Sequence, residues 1–191
     1  MKLVIFYISD HGFGHAARNI PIIKELLATD EKLRVIRTGS VQGEFIQSNF
    51  LGESRLSVIK ESLDVGLVLQ PMSFELDVPT LEERIKQYIE SWEQRIEREE
   101  QFLTHEQPDL IVSDIVPWVF HVLISNFTWV DIYEEYLSAE LVKAYQDCYA
   151  LADEVFMYEL SGSKMKERFV KYDEVSLCAR GFDLTAVAEI R

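Results

Sequence analysis

The stretch Lys2–Arg18, KLVIFYISDHGFGHAAR, decides the fold. Lys2–Ile8 is apolar on both parities, as befits a parallel strand covered by helices on both faces. The turn SDHGFGH, Ser9–His15, follows. Its Gly12 and Gly14 let the backbone reverse tightly and come close to a ligand. From Ala16 to Leu27 the residues Ala17, Ile20, Ile23, Leu26 and Leu27 return at helical spacing. Pro21 fits a first turn or shifts the helix start. A strand, a glycine turn and a helix N-terminus with free N–H groups open a Rossmann-like unit and favour negative charge at the turn.

Working outward, strands are expected at Leu33–Thr38, Leu56–Ile59, Leu110–Ser113, Val122–Ser125 and Glu154–Tyr158. A short helix is expected at Gln42–Asn49, with Phe45 and Ile46 inward. Residues Glu61–Pro79 lack firm periodicity and read as strand pieces and loop. Thr80 with Glu83 forms a capping-box pattern. It would open one long helix from Leu81 to about His105, with Ile85, Ile89, Trp92, Ile96 and Phe102 as a narrow apolar stripe. Further helices are read at Glu134–Leu151, Ser161–Phe169 and Asp183–Ile190. Alternating strands and helices make this α/β, a Rossmann-like, mostly parallel sheet flanked by helices, with 1–191 as one domain.

One connection is short. Between Leu110–Ser113 and Val122–Ser125 the residues Ile115–His121 offer seven positions, where a parallel crossover takes about a dozen and normally a helix. Either the second strand pairs differently or a helical connection is absent from the string; the second alternative is favoured.

Composition narrows the partners. The 191 residues are 48% apolar and carry a formal charge of −14, which argues against nucleic acid, since a phosphate backbone needs a basic footprint. No apolar run is long enough for a membrane span, and Met1–Ile8 is too short for a signal peptide, so a cytoplasmic location is expected. Cys148 and Cys178 lack metal-ligand spacing and read as buried free thiols. The G-x-G-x-x-G pattern fails at Ala17 and no isolated acid closes the second strand, so no dinucleotide cofactor is expected. No metal is expected either.

Three polar segments follow strands. In the first, His15 and His11 flank the glycines, where a neutral imidazole acts as a general base or orients a hydroxyl. Asp10 is a candidate to hold either ring in its tautomer, Gly12, Phe13 and Gly14 to line the ligand, and Arg18 to meet a carboxylate or phosphate. The bland alternatives are a helix cap, an Asp10 bound to loop N–H groups, and an ordinary ion pair at Arg18. The second segment is SDIVPW, Ser113–Trp118, in which Asp114 accepts from ligand hydroxyls or supports a histidine across the cleft. The third is SNFTWVDIYEEY, Ser125–Tyr136. There Asn126 and Asp131 supply polar groups, and Phe127, Trp129 and Tyr133 form either a wall for a sugar ring or core. All three should gather at one sheet edge.

YISDHGFGHAAR, IVSDIVP and ISNFTWVDIYEEYL resemble the N-terminal domain of GT-B-type glycosyltransferase-like proteins. The resemblance is closest to the predicted glycosyltransferases whose domain also precedes the kinase part of plant L-arabinokinase. It implies an acceptor-binding domain facing a second domain that holds a nucleotide-sugar donor. It also implies that His15, with His11 as rival, lies by the reaction centre, and that Asp114 and Asp131 face the same cleft. Where that family places a helix between IVSDIVP and NFTW this chain has almost none, and it ends before a donor-binding domain. The expected partners are therefore a sugar-containing acceptor and a nucleotide-sugar-binding domain or second subunit. Two alternatives stand beside this reading: a non-catalytic sugar- or nucleotide-binding module, and a regulatory interaction domain using the acidic helix Leu81–His105.

Overall fold

The computed structural model describes residues 2–30, 33–39, 42–119 and 122–178. Seven strands form one parallel sheet: β1 (Leu3–Ile8), β2 (Arg34–Gly39), β3 (Leu56–Lys60), β4 (Leu110–Asp114), β5 (Val122–Ser125), β6 (Glu154–Tyr158) and β7 (Asp173–Val175), in the order β3-β2-β1-β4-β5-β6-β7. The helices are α1 (Phe13–Thr29), α2 (Gly43–Ser48), α3 (Val78–Glu90), α4 (Trp92–Glu106), α5 (Trp129–Tyr133), α6 (Ala139–Tyr149) and α7 (Ser163–Arg168). This is the Rossmann-like α/β architecture. The edge strand β7 was not expected from the sequence, and the expected helix Asp183–Ile190 lies outside the described residues.

Both faces of β1 are buried, as its unbroken apolar run requires. Val4, Phe6 and Ile8 pack with Ala16, Ile20, Ile23 and Leu27 of α1 and Ile46 of α2. Leu3, Ile5 and Tyr7 pack on the opposite face with Ile111, Leu63, and Phe102 and Leu103 of α4. On that same face a larger cluster joins Leu81, Ile85, Trp92, Trp129, Tyr133, Tyr145, Leu123 and Met157.

Helix α1 starts earlier than its apolar spacing suggests, so Pro21 lies within it and not in the first turn. The missing N–H costs about 3 kcal/mol; burial of Ile20, Ile23 and Leu27 against β1 more than offsets that loss. The long helix expected from Leu81 is two helices. Ser91 separates them, its Oγ donating to the Tyr88 carbonyl at 2.6 Å and taking up an acceptor of the helix. The start is also shifted: Asp77, not Thr80, is the N-cap, accepting the Thr80 N–H at 3.1 Å, while Pro79 sits in the first turn where its absent donor is harmless.

β5 does not pair differently. It is the parallel neighbour of β4, with Val112 opposite Val122 and Ser113 opposite Leu123. Residues 115–119 of the connection are irregular, with a turn at Pro117–Trp118. Val116 and Val119 of this connection are buried in the cluster of Leu3, Ile5, Tyr7 and Ile111. Ile115 has φ 59° and gives its carbonyl to the Tyr149 hydroxyl at 2.6 Å.

Cys148 and Cys178 are unpaired but half-buried, not sealed as expected. Among the described residues no helix is long and apolar enough to cross a membrane.

Candidate functional site

Strand order reverses at β1, which lies between β2 and β4. Open α/β sheets bind ligands beyond the carboxyl ends of their strands at such a switch point. The turn after β1 and the end of β4 meet there. His15, Arg18 and Asn19 lie three and four residues apart and so share one face of α1; that face is turned to Asp114.

The contacts at Asp114 close a complete account. Its carboxylate is buried. Oδ2 lies 3.0 Å from Nδ1 of His15 and accepts from Nε–H of Arg18 at 3.2 Å and Nδ2–H of Asn19 at 2.8 Å. Oδ1 accepts from Nη2 of Arg18. Three of these contacts fall on Oδ2 and one on Oδ1, so both oxygens are engaged by protein groups. Nη2 of Arg18 also lies 2.7 Å from Nδ1 of His15, a contact that would need Nδ1 as acceptor. The same Nη2 also meets Asp114 Oδ1 and Ser125 Oγ (3.1 Å). With the His15 proton on Nδ1, donated to Asp114, the lone pair is on Nε2. Nε2 has no protein partner among the described residues.

Burial pushes the Asp114 carboxyl up, but the charge of Arg18, that of His15 when it is protonated, and the hydrogen bonds of both outweigh it and hold the group below the usual carboxylate range. Nη1 of Arg18 donates to Asn126 Oδ1 at 2.5 Å, which ties the end of β5 into the same cluster. Arg18 and Asn126, expected to touch a ligand, thus spend these groups on each other and on Asp114.

Asp10 does not orient either histidine. Its Oδ2 accepts the Leu63 N–H at 3.1 Å, the loop-binding alternative weighed above. Gly12, Phe13 and Gly14 are exposed, with Gly12 at φ 77° and Phe13 edge-on to Phe45. His11 is half-buried and accepts the Leu67 N–H at Nδ1. Burial, and then the charge of His15, lower its pKa below 6.5.

Two expected ligand contacts belong to the scaffold. Trp129 is 0% exposed and stacks on Tyr133 with ring centroids 5.3 Å apart, so neither offers a face to a sugar. Phe127 borders the site edge-on to His15 at 5.7 Å, while the buried Trp129 meets His11 edge-on. Asp131 caps α5, accepting from Thr128 N at 2.7 Å and Oγ1 at 2.9 Å, and pairs with Arg168 at 2.8 Å. Its carboxylate is consumed there.

Two residues were missed. Asn19 carried a usable signal, its four-residue spacing from His15. Asp64 carried none, since it sits in the aperiodic stretch after β3. It is buried, and its carboxylate accepts from Ser9 Oγ at 2.5 Å, the Asp10 N–H at 3.3 Å and Trp129 Nε1 at 3.0 Å. Its pKa is pushed up to about 6, chiefly by burial and further by Asp10, against the pull of the Ser9 and Trp129 donors.

A hollow of about 330 Å³ lies beside the cluster, lined by Asn126, Phe127, Asp131, Ser163 and Met165. Another of about 680 Å³ is lined by Thr128, Glu134, Tyr149, Lys164 and Arg168 and includes neither histidine nor Asp114. Polar groups converge at Asp114, and volume alone does not outweigh that.

No family model matches the chain. It is similar to L-arabinokinase of Arabidopsis thaliana, 30% identical over 144 residues, which cover 70% of this chain and 14% of that protein. A UGT transferase from Siraitia grosvenorii, solved in complex with UDP, aligns over 83% of this chain and 28% of its own at 14% identity, with a TM-score of 0.34. The chain thus spans 14% of the length of the curated relative it matches.

Proposed function

We propose that this domain binds the alcohol acceptor of a glycosyl transfer and that His15 removes the acceptor proton. The observation that carries this reading is the 3.0 Å contact of His15 Nδ1 with the buried Asp114 at the switch point. In this reading Nδ1–H is donated to Asp114, which leaves Nε2 as the base. As the acceptor oxygen bonds to the anomeric carbon of a nucleotide-sugar, its proton passes to Nε2 and the bond from that carbon to the leaving phosphate oxygen breaks. Asp114 stabilises the imidazolium through Nδ1–H. Arg18 and Asn19 act through Asp114 by fixing its position. The donor is held by a further domain or a second subunit, so that closure between the two excludes water from the reaction.

The sequence similarity to L-arabinokinase supports a sugar-handling role and puts L-arabinose among the first acceptors to try. The test is transfer from nucleotide-sugars to a panel of sugar acceptors, with this chain supplied with a donor-binding chain. Turnover is expected only with both present, and His15→Ala is expected to lower it about 10²–10⁴-fold. Turnover unchanged in His15→Ala would overturn the assignment. Ligand binding by the lone chain, with no turnover under any pairing, would leave a non-catalytic binding module in its place.

A further inference from the structure

His11 is the other histidine of the glycine turn, and its surroundings give it the opposite chemistry to His15. Its Nδ1 accepts the backbone N–H of Leu67 at 3.4 Å. An amide donor can be met only by a lone pair, so the ring proton sits on Nε2. The ring has little freedom to exchange these roles. Gly66 lies against its Nδ1 edge, where an added Cβ would come within 2.5 Å of that nitrogen. Trp129 meets the ring edge-on, with centroids 5.4 Å apart. The segment that carries Gly66 and Leu67 is itself held: Tyr133 donates to the Gly66 carbonyl at 2.8 Å, and Asp64 receives Ser9 and Trp129. Nε2 has no hydrogen-bond partner among the described residues, and the side chain keeps partial exposure beside the open backbone of Gly12–Gly14.

We propose that His11 is a neutral hydrogen-bond donor that holds an oxygen of the bound ligand through Nε2–H, not a second base. The two histidines then present unlike groups on either side of the glycine turn, a lone pair at His15 and an N–H at His11. A ligand lying across the turn is met by an acceptor at one end and a donor at the other, which suits a polyhydroxylated molecule such as a sugar. Burial, and the charge of His15 when it is protonated, both keep the His11 ring neutral. This role rests on the reading of the site as an alcohol-binding one, but the tautomer of His11 does not.

Long-range ¹⁵N correlation spectra of the imidazoles in the full chain read each tautomer separately. The expected pattern is a proton on Nε2 at His11 and on Nδ1 at His15. In Gly66→Ala, where the ring is pushed off the Leu67 N–H, His11 should average between tautomers while His15 keeps its pattern. A proton on Nδ1 of His11 overturns the proposal whatever the fate of the transfer reaction; a failed His15 pattern with an intact His11 pattern refutes only the base. In reconstituted transfer, His11→Phe should lose roughly tenfold in kcat/KM, and His11→Gln, which keeps an N–H near the place of Nε2, should recover most of it. Equal activity in the two variants overturns the donor role.

Discussion

Nδ1 of His15 lies 3.0 Å from Oδ2 of Asp114, although ninety-nine positions separate the two residues in the chain. The contact exists because β1 and β4 are parallel neighbours, with Ile8 opposite Asp114, and because α1 springs from the end of β1. Topology alone therefore brings a histidine from one segment onto a carboxylate from another. Arg18 completes the pairing with a two-pronged contact to the same carboxylate.

Removing Asp114 leaves Arg18, largely buried, without its counter-charge. Asp114→Ala is expected to lower unfolding stability by about 3–5 kcal/mol, measured by urea denaturation. The double variant Arg18→Ala, Asp114→Ala should lose clearly less than the sum of the single losses. Strict additivity would show that the pair is not coupled. Because the Asp114 pKa is depressed in the fold, its contribution is present above the ordinary carboxylate range and is lost as the pH falls through the depressed value.

Asp64 behaves in the opposite sense. Its pKa rises from 3.8 to about 6 on folding, so its stabilising contribution is full below pH 3.8 and is lost as the pH rises through about 6. Asp64→Asn does not ionise. Relative to the native chain it should gain about 2 kcal/mol in stability between pH 4 and pH 7, read from denaturation curves at each pH. A constant difference across that range would contradict the raised pKa.

Pro21 interrupts the hydrogen bonding of α1 from within. Pro21→Ala restores an N–H and a better helix former, and should raise stability by about 1–3 kcal/mol. A loss would mean that the ring is needed for packing.

Much of this arrangement was legible in the sequence, for local reasons. The unbroken apolar run of β1, Gly12 and the helical spacing behind it specify a strand–turn–helix unit without help from the rest of the chain. His15 and Asp114 could be named because each follows such a strand. What was not legible depended on tertiary partners. Trp129 and Asp131 follow β5 just as Asn126 does, yet Trp129 turns into the core and Asp131 back onto Thr128. No pattern within SNFTWVDIY distinguishes those directions. Asp64 lies in a stretch held by side chains from Ser9, Trp129 and Tyr133, so no periodicity marks it.

The most direct test of the account is a crystal structure of the chain with a sugar acceptor bound. The account predicts a ligand hydroxyl within about 2.6–3.2 Å of Nε2 of His15, with the sugar over Gly12–Gly14 and the His15–Asp114 contact intact. A sugar seated instead in the hollow between Thr128 and Arg168, with Nε2 of His15 untouched, would contradict it.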